Sequence, residues 1–175
     1  EVDLVIMVVD ALKGVEVTTQ KLWMVAQERK IPRFLFINKL ESEQADFEKI
    51  FDQLKRIDLF KGLLQITVPI GQGEKLEGVA DLTLQKAFLK DGGAASIPES
   101  VSIDSELSNF NESIAETSEE LLDKYLENGE LAVEDIEKTL QNGVKLAEMS
   151  LIFAGSGKTD IGIKALISSI ARFAP

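Results

Sequence analysis

A polar tetrapeptide follows a short apolar segment of the sequence. Asn38, Lys39 and Glu41 stand in the run Asn-Lys-Leu-Glu, directly after the apolar residues 34–37. If that segment is a buried strand, the tetrapeptide lies at the carboxyl edge of a parallel sheet, where open α/β folds bind ligands. A guanine base offers two adjacent N–H donors that one carboxylate can accept, whereas adenine presents a bare ring nitrogen that would repel it. Glu41 is therefore a candidate for reading guanine, with the Lys39 stem against the ring and Asn38 bracing the loop or meeting the purine. The alternative is a polar strand end that faces water.

A glycine-rich run, Ala-Gly-Ser-Gly-Lys-Thr, occupies residues 154–159 after another apolar segment. Gly-Lys-Thr between a strand and a helix suggests a phosphate loop, and a small ATPase built on Lys158 is one interpretation. However, the phosphate-loop pattern requires a glycine where this chain has Ile152, and the loop is too short to wrap a phosphate. Two interpretations stay open beside it: a plain strand-to-helix turn, or a loop whose backbone N–H groups near Gly157 meet the base opposite Asn38.

The composition excludes several kinds of chemistry. The 175 residues contain no Cys and no His, so disulfides, thiolate metal sites, Cys nucleophiles and imidazole catalysis are excluded within them. The net charge of −11 argues against direct DNA binding. No apolar run approaches the length of a membrane span. The chain opens without Met and without a signal-peptide pattern, which predicts a cytoplasmic piece of a longer protein.

The negative charge is concentrated in one part of the chain. Residues 99–137 hold thirteen Asp and Glu residues and a single base, Lys124. The remainder of the chain is nearly neutral, so the sequence predicts two functional regions. Apolar stripes within the acidic block indicate helices that keep their carboxylates outward. The alternative is an acidic face that is merely solvated.

Short, unbroken apolar runs indicate strands buried on both faces, as in a parallel sheet; they cover residues 4–9, 34–37 and 151–153. Between the first two, the pattern predicts a helix over 19–30, capped by Thr18 or Thr19. Its apolar stripe is Leu22, Trp23, Val25 and Ala26. A second amphipathic helix is predicted over 44–57.

The apolar period changes to two after residue 63. This predicts antiparallel strands over 64–70 and 80–88, a loop that opens at Asp91, and then the acidic helices. A capping box is expected at 117–120. Further helices are expected over 133–141, ending at Gly143, and over 163–173. The predicted fold class is therefore α/β, a partial parallel sheet formed by 1–65 and 150–175, interrupted by an α+β insertion at 66–149.

Several short motifs occur in a fixed order along the chain. They are VVDA at 8–11, GVEV at 14–17, INK at 37–39, PIG at 69–71, GVADL at 78–82, IPE at 97–99, ELLDKYLE at 120–127 and GS at 155–156. The ordered set resembles bacterial elongation factor G and its close paralogues over essentially the whole chain. The resemblance implies a translational GTPase, with this chain as the second half of a GTPase domain of the P-loop NTPase type.

The resemblance also implies roles for single residues. Asn38, Lys39 and Glu41 would occupy the guanine-specificity motif, and Ser156 and Gly157 the second base-contacting motif. Two positions depart from the family pattern, because the family has Asp where this chain has Glu41, and usually Ala where it has Gly157. These departures suggest a divergent paralogue, for example one acting in ribosome recycling or protection.

The phosphate loop, switch regions and Mg²⁺ ligands of the family precede the part that this chain resembles. GTP or GDP with Mg²⁺ is therefore expected for the parent protein. For this chain we expect no catalytic residue, no metal site and no GTP turnover. The ribosome is the implied partner, with the ribosomal stalk protein meeting the acidic helices through Glu112, Glu116 and Glu119. The alternative is a non-catalytic acidic docking module.

Overall fold

Two four-stranded sheets organise the chain. A computed structural model describes residues 2–90 and 92–175. The strands are β1 (Val5–Asp10), β2 (Arg33–Asn38), β3 (Leu63–Gln65), β4 (Thr67–Ile70), β5 (Gly78–Asp81), β6 (Lys86–Leu89), β7 (Ala94–Ala95) and β8 (Ser150–Ala154). The helices are α1 (Val17–Glu28), α2 (Phe47–Lys55), α3 (Asp104–Ala115), α4 (Glu119–Asn128), α5 (Val133–Lys145) and α6 (Ile163–Phe173). One sheet is parallel, in the order β1-β2-β8-β3, and the other is antiparallel, in the order β4-β5-β6-β7. This confirms the predicted α/β class.

The three predicted apolar strands are confirmed as β1, β2 and β8. Phe34, Leu35, Ile37, Leu151 and Phe153 are completely buried, because the parallel sheet is covered on both faces at its centre. At its β1 edge the cover is incomplete. Ile6 and Val8 are 39% and 59% exposed, and β1 has no neighbour on its outer side in the described part of the chain.

The cap predicted for the first helix is wrong. Helix α1 begins at Val17, after Glu16, whose side chain makes no capping bond. Thr18 and Thr19 therefore lie inside the first turn. Half of the predicted stripe is also wrong, since the helix packs at the edge of the sheet and buries only one narrow face. Its members divide into buried Trp23 and Ala26 and exposed Leu22 and Val25.

The predicted antiparallel strand over 64–70 is in fact two strands in different sheets. Leu63–Gln65 pairs with β8 in the parallel sheet, and Thr67–Ile70 pairs with β5 in the antiparallel sheet. Ile66 connects them, because its N–H donates to Ile152 and its carbonyl accepts from Leu82. The apolar alternation continues through this switch, so the sequence pattern does not reveal it.

The predicted strand over 80–88 is a hairpin with its turn between β5 and β6. The Asp81 carboxylate accepts from the backbone N–H groups of Thr83 and Leu84 and from the Thr83 hydroxyl, at 2.8, 3.1 and 2.6 Å. Short polar side chains that bond to the next residues favour turns over strands. Leu82 is buried within this turn.

The acidic helices form as α3, α4 and α5, with two corrections. Ser118 caps α4 by accepting from Leu121, while the Thr117 hydroxyl donates back to Ile114, so Thr117 does not form the expected capping box. Helix α5 continues through Gly143 to Lys145. A Cβ at Gly143 would overlap the Met149 side chain, so this glycine allows close packing and does not end the helix. Asp91, where a loop was predicted to open, lies outside the described residues.

A polar cluster joins the antiparallel sheet to the last helix. The Arg172 guanidinium of α6 donates to the Thr83 hydroxyl at 2.8 Å and pairs with Glu137 of α5 at 2.7 Å. Thr83 in turn donates to the buried Asp81 carboxylate. None of the helices formed by residues 2–90 and 92–175 is both long and apolar enough to cross a bilayer.

The Asp81 cluster predicts a pH dependence of stability. Burial raises the pKa of Asp81, against the hydrogen bonds from Thr83 and Leu84 that lower it. The unfolded chain therefore releases this proton first as the pH rises. The neutral carboxyl favours the folded state below the ordinary Asp pKa of about 4, and this contribution is lost as the pH rises through the folded pKa.

We expect the free energy of unfolding of the wild-type chain, relative to Asp81→Asn, to fall over that pH window. Urea unfolding at a series of pH values measures the difference. Asp123→Asn, at an exposed position, is the control. The difference in free energy of unfolding between wild type and this variant should change less with pH. A difference between wild type and Asp81→Asn that is constant from pH 3 to 8 would contradict the raised pKa of Asp81.

Candidate functional site

Two loops meet at the carboxyl edge of the parallel sheet. Strands β2 and β8 are neighbours, with Ile37 opposite Ala154, so the residues that follow them emerge side by side. The Asn38 side-chain oxygen accepts from the backbone N–H of Gly157 at 2.8 Å, and the Leu40 N–H donates to the Gly155 carbonyl. The structure thus brings the Asn-Lys-Leu-Glu loop together with the Gly-Ser-Gly loop.

Lys39 is held in a defined position by the neighbouring strand. Its backbone has φ 70°, a left-handed conformation that non-glycine residues seldom adopt. Its ammonium lies 2.7 Å from a carboxylate oxygen of Asp10, the last residue of β1. The hydrogen bond raises the pKa of Lys39 and lowers the pKa of Asp10. The ion pair holds the Lys39 stem across the edge of the sheet.

Asp10 is the residue of this site that sequence reasoning did not single out. The signal was available, since Asp10 is the first polar residue after the apolar run 4–9. Its second carboxylate oxygen accepts from the Leu12 N–H at 2.8 Å, which turns the chain away from the sheet. Asp10 therefore both ends β1 and positions Lys39.

Glu41 retains free hydrogen-bonding capacity. The loop folds back through a bond from the Ser42 N–H to the Lys39 carbonyl, and buried Leu40 anchors it. One Glu41 carboxylate oxygen, Oε2, is buried and has no hydrogen-bond partner among the described residues. Buried polar atoms are nearly always satisfied, so this oxygen suits a ligand that supplies N–H donors, as the guanine edge does.

Ser156 and the glycines beside it shape the second loop. Ser156 is fully buried, bridges to Ile161 through its backbone and accepts from the Thr159 N–H at 3.2 Å. Gly157 is exposed and has room for a Cβ, whose nearest neighbour would be the Asn38 oxygen at 3.6 Å. The N–H groups of Gly157 and Thr159 are engaged within the chain, which disfavours a phosphate loop built on Lys158.

The three predicted docking residues lie elsewhere. Glu112 is on α3, Glu116 follows it and Glu119 begins α4. All three are exposed, and none forms an ion pair within residues 2–90 and 92–175. Lys124, the one base of the acidic block, is already paired with Glu120 and Asp135 at 2.9 and 3.0 Å. In the described part of the chain no three acidic residues gather closely enough to hold a metal ion.

Comparisons with known proteins identify related sequences and structures. The family model of the elongation factor Tu GTP binding domain matches residues 1–175. An elongation factor G-like protein from Thermotoga maritima is 34% identical in a 166-residue alignment that covers 93% of this chain and 24% of that protein. A crystal structure of a protein from Thermus thermophilus is similar with a TM-score of 0.84 and 28% identity, covering 99% of this chain and 26% of that one. The chain spans about a quarter of the length of both.

Proposed function

The chain belongs to the elongation factor Tu GTP-binding domain family, and from that premise we propose that it supplies guanine-base recognition to a ribosome-associated GTPase resembling elongation factor G. The observation that carries the proposal is the joined pair of loops, with Asn38 bonded to Gly157 and a Glu41 oxygen left without a partner. Because the chain covers a quarter of its relatives, the activity of the whole protein and its place on the cytoplasmic ribosome are part of the proposal.

Each residue of the loops has a distinct role in this proposal. Glu41 accepts the two N–H donors of guanine, and the Lys39 stem lies against the ring while Asp10 holds its ammonium. Asn38 does not need to touch the base, since its oxygen already positions the Gly157 backbone. Buried Ser156 holds the second loop in shape through its bonds to Thr159 and Ile161. The nucleotide's phosphates and Mg²⁺ would be bound by residues of the parent protein outside this chain, and no residue here is proposed as catalytic.

Base recognition can be tested by NMR on the 175-residue chain with GDP and ADP at millimolar concentration. We expect GDP to shift the resonances of the Gly157 N–H and the Asn38 side-chain amide, and ADP to shift them much less. Affinity should be weak, because the phosphate loop and Mg²⁺ normally supply much of the binding energy. Equal shifts with both nucleotides, or micromolar affinity for GDP, would contradict the proposal.

We further propose that the exposed carboxylates Glu112, Glu116 and Glu119 dock a basic ribosomal protein, with the globular domain of the stalk protein as first candidate. These carboxylates form no ion pair in the described chain, so their negative charge is available to attract a positively charged protein surface. Opposite charges raise the rate of encounter, and salt screens them over a Debye length of about 8 Å at physiological ionic strength.

Charge reversal of these three residues to Lys is expected to slow association with that domain more than it speeds dissociation. The effect should shrink at high salt, and the variant should stay folded because all three side chains are exposed. Stopped-flow association at low and high salt measures it. Glu28, Glu74 and Glu77, exposed elsewhere, provide a matched charge-reversal control. If the association rate changed neither with salt nor with either triple substitution, the docking proposal would be contradicted, and the acidic block would be only a solvated surface.

A further inference from the structure

A groove runs along β3, the last strand of the parallel sheet. Two cavities of about 370 and 700 Å³ share Leu63, Leu64, Ser113 and Glu116 in their walls, so they form one continuous depression. The smaller cavity touches Leu63, Leu64 and Gln65 in succession. Successive side chains of a strand point to opposite faces of the sheet, so a cavity that touches all three lies along the edge.

The backbone of β3 is free to pair along this edge. In a parallel ladder alternate residues of a strand bond to a given neighbour. Gly62 accepts from Ser150, and Ile66 donates to Ile152, so the residues turned toward β8 are Gly62, Leu64 and Ile66. Leu63 and Gln65 therefore direct their N–H and C=O groups away from β8. No strand of the described chain occupies that side.

The walls of the groove combine an apolar floor with an acidic rim. Leu146, which is 60% exposed, and the partly exposed Leu63 and Met149 contribute the accessible apolar surface. The carboxylates of the rim are Glu106, Glu112, Glu116 and Glu148. Among the described lining residues the only base is Lys55, and it is engaged with Asp52 at 2.8 Å and with the Phe51 ring.

We propose that this groove binds an extended segment of a partner protein in which apolar residues alternate with Lys or Arg, and that the segment pairs with β3 as an added strand. The outward N–H and C=O groups of Leu63 and Gln65 supply the backbone bonds, as in other cases of strand addition. Alternate side chains of the segment then face the apolar floor and the carboxylates. A second copy of this chain fits poorly, because its net charge of −11 opposes the acidic rim.

This binding mode extends beyond the docking face proposed above and does not depend on base recognition. The two surfaces share Glu112 and Glu116, but Gln65 belongs to the groove alone and Glu119 to the docking face alone. The two proposals can therefore fail separately.

The probe is a synthetic, end-blocked peptide of alternating valine and lysine, titrated into the 175-residue chain by calorimetry. We expect Gln65→Pro to weaken binding about tenfold or more, since it removes an outward donor and places a ring at the edge. Proline is tolerated on edge strands where its nitrogen faces away from the ladder. Gln65→Ala, which keeps the N–H, is the matched control and should stay within about threefold of wild type.

A second measurement needs no variant. The same peptide with alternate backbone nitrogens methylated keeps its charge but cannot pair as a strand, and it should bind about tenfold more weakly. Hydrogen exchange at the Leu63 and Gln65 amides should slow when the unmodified peptide is bound. Equal binding of both peptides, or no change in exchange at these amides, would overturn strand addition. If self-association of the chain protected the two amides without peptide, the proposal that a basic segment of a partner protein occupies the groove would be overturned.

Discussion

Gly155→Ala is expected to destabilise the chain by about 1–3 kcal/mol, the usual cost of forcing atoms into a packed interior. An added Cβ would overlap the carbonyl oxygen of Ile161 and lie 2.7 Å from the Phe36 ring. The carbonyl belongs to the bridge between Ser156 and Ile161, and Phe36 lies in the middle of β2. A shift of either group would therefore disturb packed structure. The substitution should also loosen the contact between Asn38 and Gly157.

Gly157→Ala, two residues later, is the matched control. Its Cβ would meet only ordinary contacts with the Asn38 amide, at 3.6 and 3.8 Å, and the backbone there is not left-handed. A Gly→Ala change that the native backbone allows stabilises by about 0.4–1 kcal/mol through the unfolded state. Urea unfolding of both variants provides the comparison. A Gly155→Ala variant as stable as wild type would show that the packing at this loop is not tight.

Glu41→Ala, placed in a complete GTPase domain that contains this chain, is expected to reduce the preference for GTP over ATP by about 1–3 kcal/mol, the scale of one lost bidentate base contact. The reason is chemical, since only the carboxylate accepts both N–H donors of guanine. The loss should come mainly from weaker GTP binding, because the site then lacks the acceptor that distinguishes the two bases.

Glu41→Asp is the conservative control. It keeps the carboxylate and shortens the stem by one methylene, so guanine binding should tighten or stay unchanged. Competition of GTP and ATP for a fluorescent guanine nucleotide measures both variants. If Glu41→Ala kept the full preference for GTP, the base would be read by other groups, and the unsatisfied oxygen of Glu41 would need another explanation.

The central strands of the parallel sheet, β2 and β8, could be predicted from the sequence because they are buried on both faces. Runs such as residues 34–37 leave no polar position. The equally apolar run 4–9 forms the edge strand β1, where Ile6 and Val8 stay partly exposed. The switch between sheets at Ile66 could not be predicted, because apolar and polar residues keep alternating along the chain from β3 into β4. The start of α1 was missed for a different reason. No side chain caps its first turn, so the Thr residues that favoured a cap in the sequence were misleading.

The members of the candidate site other than Asp10 could be named from the sequence, but the contacts between them could not. The proximity of Asn38 and Gly157 was one of several possibilities open to sequence reasoning, because only the pairing of β2 with β8 brings residues so distant in sequence together. The ion pair between Lys39 and Asp10 likewise depends on β1 lying beside β2. Apolar runs predict strands, but not the order of strands in a sheet, and the order decides which loops meet.

The order β1-β2-β8-β3 also has a consequence for how the chain acquires its structure during synthesis. Strand β8 lies between β2 and β3, yet residues 66–149 separate it from β3 in the chain. The parallel sheet therefore cannot close until β8 has left the ribosome, whereas the hairpins β4–β7 pair locally and can form earlier. The bond between Asn38 and Gly157 has to wait for the same strand. During synthesis the antiparallel sheet is thus able to fold first, and the Asn-Lys-Leu-Glu and Gly-Ser-Gly loops are among the last parts of the chain to become ordered.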